Sequence, residues 1–167
     1  MSSLTEAISA TGEAGFQQIG EIISQVDENP VLQGLGVMLY YADTKLESEL
    51  EESKVAEEPT PMANEAHSMQ NLLLHCIIGL CSVQHNGSMV IKLHETHDLL
   101  TVGVLFMIYS MFQKVCIVKP YATSFFDSRQ YLICTGLKQR KPQGIITKLL
   151  RMYANLKQDP TLRLVHC

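Results

Sequence analysis

The chain has 167 residues and a mass of 18.7 kDa, with 46% hydrophobic and 18% charged residues, a composition that excludes a disordered tail and fits one core of ordinary size. No stretch reaches the roughly 18 consecutive apolar residues of a membrane span, and the first ten residues lack the basic-then-apolar pattern of a secretory signal, so a soluble intracellular protein is expected. The net charge of -4 hides an asymmetry: residues 1–91 carry 2 Lys/Arg against 13 Asp/Glu, and residues 92–167 carry 11 against 4. Local field guides a polyanion, so nucleic acid is a candidate partner of the second half alone.

In the N-terminal segment, 1–35, Phe16, Ile19, Ile22 and Ile23 recur at helical spacing and predict a helix over 13–25. The apolar run Gly36-Val37-Met38-Leu39-Tyr40-Tyr41-Ala42 predicts a buried strand ending at Asp43. Residues 44–63 turn acidic and then carry Pro59 and Pro61. They hold too little apolar surface to offset the entropy of ordering, which predicts a loop.

Met69, Leu72, Leu73, Cys76, Ile77, Leu80 and Val83 follow the three-and-four spacing of a core-facing helix over 64–84, with His85-Asn86-Gly87 as its stop. A strand over 88–93 follows. Residues 99–112 are apolar almost all round, so that helix is expected to be buried on most sides. Strands are predicted at 114–118, ended by Lys119-Pro120, and at 130–134. The segment between them is too short for a crossover helix, so the last strand should run antiparallel to its neighbour. An amphipathic helix over 144–156 opens the C-terminal basic segment, 139–167.

Five cysteines, Cys76, Cys81, Cys116, Cys134 and Cys167, are an odd number, and the first four lie in apolar runs, as buried free thiols do. No C-x-x-C pair or zinc-site spacing occurs, and no metal is expected. His94, Glu95, His97 and Asp98 read as a solvated turn rather than as ligands. In an α/β chain, ligands bind at the carboxyl ends of parallel strands, where Asp43 and Lys92 fall. A lysine inside an apolar strand is costly unless it opens onto a cleft, which makes Lys92 the main candidate for chemistry.

The residues Gly87-Ser88-Met89-Val90-Ile91-Lys92-Leu93, then a long apolar helix, then Phe112-Gln113-Lys114-Val115-Cys116-Ile117-Val118-Lys119-Pro120, then Asp127-Ser128-Arg129-Gln130-Tyr131-Leu132-Ile133-Cys134-Thr135-Gly136-Leu137-Lys138 carry a resemblance. Together they resemble the C-terminal half of FtsJ-like ribose 2′-O-methyltransferases, most closely the cellular mRNA-cap type, over about half the chain. The resemblance implies a partial Rossmann-like class I methyltransferase fold over 36–138 with an antiparallel last strand. It also implies S-adenosylmethionine as the family's methyl donor, capped RNA as substrate and the nucleus as the compartment.

Of the family's Lys-Asp-Lys-Glu tetrad, the resemblance puts the second lysine at Lys92 and the aspartate at Asp43, which would also be the one cofactor contact in this chain. Such a lysine takes the ribose hydroxyl proton as the methyl group moves from sulfonium to oxygen. Two departures follow: Arg129 stands where the family has its glutamate, and Gly34-x-Gly36 precedes a strand instead of following one. The expectation is therefore a degenerate domain, inactive and without bound S-adenosylmethionine when alone, that supports RNA binding or assembly. The alternatives are the C-terminal fragment of an active enzyme and an interaction module with no RNA role. Lys119, Lys138, Arg140 and Lys141, with Lys114, Arg129, Lys148 and Arg151, are the candidate RNA contacts, and several of them are expected to share one basic face. An open sheet calls for another segment or chain to complete it.

Overall fold

A computed structural model describes residues 36–43, 61–93, 96, 98–121 and 129–158. The helix expected over 13–25, most of the acidic loop, His94, Glu95, His97 and Cys167 lie outside the described residues. The described chain is α/β: β1 (Val37–Ala42), α1 (Pro61–Ser82), β2 (Val83–Leu93), α2 (Leu99–Met111), β3 (Phe112–Val118), β4 (Gln130–Leu137) and α3 (Gln143–Gln158). The sheet order is β1-β2-β4-β3. β1 and β2 are parallel, and β4 enters antiparallel between β2 and β3, as the short connection before it requires. This mixed sheet is compatible with a partial Rossmann-like fold.

The apolar spacing that predicts α1 has a packing cause. Leu73, Ile77 and Leu80 are fully buried, and Gly79 comes so close to Tyr40 and Met89 that a Cβ there would overlap the Met89 sulfur. α1 thus lies on the sheet face built by Tyr40, Ala42, Met89, Ile91, Leu132 and Cys134, and α3 packs on α1 through Ile146, Leu149, Tyr153 and Leu156. Each large side chain taken fully from water contributes about 1.5–3 kcal/mol, so this layer carries the stability. No described helix is long and apolar enough to cross a membrane.

The structure departs from the sequence expectations at four places besides β1, which is predicted buried yet leaves Met38, Leu39 and Tyr41 exposed. Residues 61–63, assigned to the loop, form the first turn of α1, where Pro61 loses nothing by lacking an N–H. His85-Asn86-Gly87 is no helix stop: α1 ends at Ser82 and the strand begins at once, because Val83 already pairs with Val37. α2 is not buried on most sides; only Thr101, Val104 and Ile108 are. Cys116 is an exposed thiol, whereas Cys76, Cys81 and Cys134 are buried as expected.

The second departure sets the register. Val37 pairs with Val83, but Leu39 pairs with Ser88, so β2 accommodates three extra residues between these two rungs. Asn86 lies among them at φ 66°, a left-handed conformation that asparagine tolerates and β-branched residues do not. Its Oδ1 accepts a hydrogen bond from Gln113 Nε2 at 2.9 Å. Gly36, at φ 77°, abuts the same place: a Cβ there would sit 2.7 Å from the Ser82 carbonyl oxygen.

Asn86→Val should destabilise the fold by about 1–3 kcal/mol, the usual cost of a strained backbone position, while Asn86→Gly stays within a few tenths. Urea unfolding of the two variants checks this, and equal midpoints would contradict the role given to Asn86.

Candidate functional site

The register downstream of the irregularity continues through Tyr41↔Val90 and Ala42↔Ile91, which aligns Asp43 with Lys92. Parity then sorts the side chains. Tyr41 and Asp43 of the β1 end, Val90 and Lys92 of β2, and Tyr131 of β4 lie on the face opposite α1, at the carboxyl ends of the two parallel strands.

Lys92 Nζ stands 3.4 Å from Asp43 Oδ1, with the lysine side chain 2% exposed and the aspartate 40%. Burying an ammonium is expensive unless a charge meets it, and the carboxylate at the water boundary is that charge. Tyr41 Oη donates to the other carboxylate oxygen, Oδ2, at 3.1 Å. Lys92 is paired in register with Tyr131, so two phenols flank the ion pair.

Partial desolvation, then the hydrogen bond to Asp43 and the carboxylate charge, push the Tyr41 phenol up to about 12, with a smaller push from Tyr131. Across the sheet, Tyr40 Oη lies 2.8 Å from His75 Nδ1. Burial raises the Tyr40 phenol and lowers His75, and neither reaches the Lys92 face.

Arg129, two residues before Tyr131, is exposed just beyond the last rung Leu93↔Gln130, at the same end of the sheet as Lys92. Lys119, following β3, belongs to this end of the sheet as well. Lys138, Arg140 and Lys141 follow β4 at the other end. Lys138 Nζ donates to the Ser110 carbonyl at 3.1 Å there, and Lys141 adopts φ 47°. At about 3.3 Å per strand residue, the length of β4 keeps the two basic groups roughly 25 Å apart. The structure therefore joins Asp43 and Lys92, adds Lys119 and Arg129 at their end, and sets Lys138, Arg140 and Lys141 apart.

The sequence reading missed Tyr41 and Tyr131. The signal was available for Tyr41, since a residue two before Asp43 in a strand shares its face; for Tyr131 it needed the β2–β4 register.

Asp43, the one S-adenosylmethionine contact expected in this chain, is engaged within the chain, its oxygens meeting Lys92 and Tyr41, and Gly36 beside β1 is closely packed on Ser82 and Gln84.

In alkaline titration, the phenolate absorbance of the parent minus that of Tyr41→Phe should show one phenol ionising near 12. Asp43→Asn should move it back toward the ordinary value near 10. Because the folded value is the higher one, the stability tied to this proton is fully present below pH 10 and lost as pH rises through about 12. A phenol difference centred near 10 in the parent would contradict the Tyr41–Asp43 contact.

No family model matches the chain. Among curated proteins it is similar to the cap-specific mRNA (nucleoside-2′-O-)-methyltransferase 1 of Dictyostelium discoideum, 26% identical over 129 residues, which are 77% of this chain and 16% of that protein. The protein of the same name from Xenopus laevis is 29% identical over 100 residues, 57% of this chain and 12% of the relative. The one from Mus musculus is 32% identical over 71 residues, 42% of this chain and 8% of the relative. The match thus spans 16% or less of each of these relatives. At low identity and over a small part of their length, these relatives support a related methyltransferase family for the chain.

Proposed function

We propose that this chain is a methyltransferase-like domain of the cap 2′-O-ribose type that has lost catalysis and serves in RNA contact and assembly. The observation that carries the reading is the buried Lys92–Asp43 pair at the carboxyl ends of parallel strands, with Arg129 at the same end of the sheet. Lys92 and Asp43 are what is left of a proton-transfer site. In this chain Asp43 meets the Lys92 charge and Tyr41 fixes the carboxylate, so the group orients side chains and holds the strand ends together.

A guanidinium at Arg129 cannot supply the orienting carboxylate that the reaction needs, and its charge is of the same sign as that of Lys92. No methyl-transfer step is assigned to the described residues. The mRNA named for the relatives makes RNA the expected ligand and the nucleus the expected compartment.

The basic residues divide the contact into two parts. Lys119 and Arg129 would hold phosphates next to the Lys92 end, and Lys138, Arg140 and Lys141 would hold them at the far end. Phosphate contacts release counterions, so binding should weaken with salt with a log–log slope of about -0.7 per single-strand phosphate contacted.

Replacing Lys138, Arg140 and Lys141 by serine together should weaken RNA binding alike for all sequences and flatten that slope by up to about 2 units. Replacing Lys119 and Arg129 should do the same to a smaller extent. Fluorescence anisotropy with a labelled single strand over a salt series reads both. Parent affinity retained by both variants at low salt would show that these cations form a solvated surface without an RNA role.

A further inference from the structure

α2 carries no Asp, Glu, Lys or Arg in its sequence LLTVGVLFMIYSM. One side, Thr101, Val104 and Ile108, is buried against the rest of the chain. The other side is open to water: Leu99 is 69% exposed, Val102 49%, Phe106 71% and Tyr109 61%. These four are three, four and three residues apart, which is the spacing of one helix face and of a helix-pairing seam.

Monomeric proteins rarely leave such a stripe in water. Taking roughly 150–250 Å² for each large side chain, these exposures amount to about 500 Å² of apolar surface per copy. Two such surfaces facing each other would bury about 1,000 Å², the lower bound of a specific protein interface.

We propose that α2 is a self-association face, pairing antiparallel with α2 of a second copy of this chain about a two-fold axis. The spacing is the first argument. Three, four, three reads the same in both directions, so an antiparallel copy sets Leu99 against Tyr109 and Val102 against Phe106 at both ends of one seam. A two-fold interface requires that self-complementarity.

Gly103 is the second argument. It is exposed within the seam, and a Cβ built on it would meet no atom within 4 Å, so it opens a notch into which the bulky side chains of the facing helix can settle. Charge is the third: with no ionised side chain, α2 has nothing to attract a polyanion and nothing to repel its own copy. A membrane surface fits less well, since interfacial helices carry a basic polar face that α2 lacks.

The test uses the full chain. Sedimentation velocity over a concentration series should show a monomer–dimer equilibrium. Phe106→Glu and Val102→Glu should each raise its dissociation constant by tenfold or more with the circular dichroism spectrum unchanged. A parent that stays monomeric at every concentration, or a dimer that both variants leave intact, overturns the proposal.

Orientation is read by crosslinking in a Cys116→Ser, Cys167→Ser background. Leu99→Cys mixed with Tyr109→Cys should join through a short bismaleimide, whereas either variant alone should not, its two thiols lying about 15 Å apart along the seam by helix rise. Efficient crosslinking of Leu99→Cys with itself would overturn the antiparallel arrangement.

Discussion

The arrangement at Lys92 depends on three residues inserted in β2. Between the rungs Val37↔Val83 and Leu39↔Ser88 the pairing of the two parallel strands advances by three, with Asn86 in the left-handed region. Continued without that advance, the first register would set Asp43 against Met89, a core residue on the α1 face. An odd shift also exchanges faces, because side chains alternate across a strand. The irregularity thus supplies the partner for a buried ammonium, and it does so at the sheet end where α/β proteins bind ligands. Its cost is local strain, offset by the Gln113–Asn86 hydrogen bond and by the close approach of Gly36 to Ser82.

Much of the fold was legible in the sequence because its periodicities are clean. Leu72, Leu73, Cys76, Ile77 and Leu80 are spaced for one helix face and all are buried. The nine residues between Pro120 and Gln130 sufficed to make β4 antiparallel. Asp43 and Lys92 could be singled out from where they stand relative to strand ends, although their contact depends on a register that no local pattern reveals. His85-Asn86-Gly87 misled for a physical reason: asparagine followed by glycine favours a left-handed residue wherever it occurs, and a helix end and a strand irregularity both need one. α2 misled differently, since an apolar helix says that its surface must be covered and not what covers it.

The same topology explains why the basic residues do not form one group. Lys119 and Lys138 end successive strands, and successive antiparallel strands end at opposite edges of the sheet. Proximity in sequence is therefore separation in space. The face with Lys92, Asp43, Tyr41 and Tyr131 borders only the Lys119 and Arg129 end, so an RNA held by Lys138, Arg140 and Lys141 alone would not reach the Lys92–Asp43 pair. Under the proposed function, that geometry favours tethering over positioning of a ribose hydroxyl.

The most direct measurement is a calorimetric titration of S-adenosylmethionine into the full 167-residue chain, with Asp43→Asn as the control. The account predicts no saturable heat in either, because Gly36 and Asp43 are spent on packing and charge neutralisation. Saturable binding to the parent that Asp43→Asn abolishes would contradict it, and would return Lys92 and Asp43 to a working methyltransferase site.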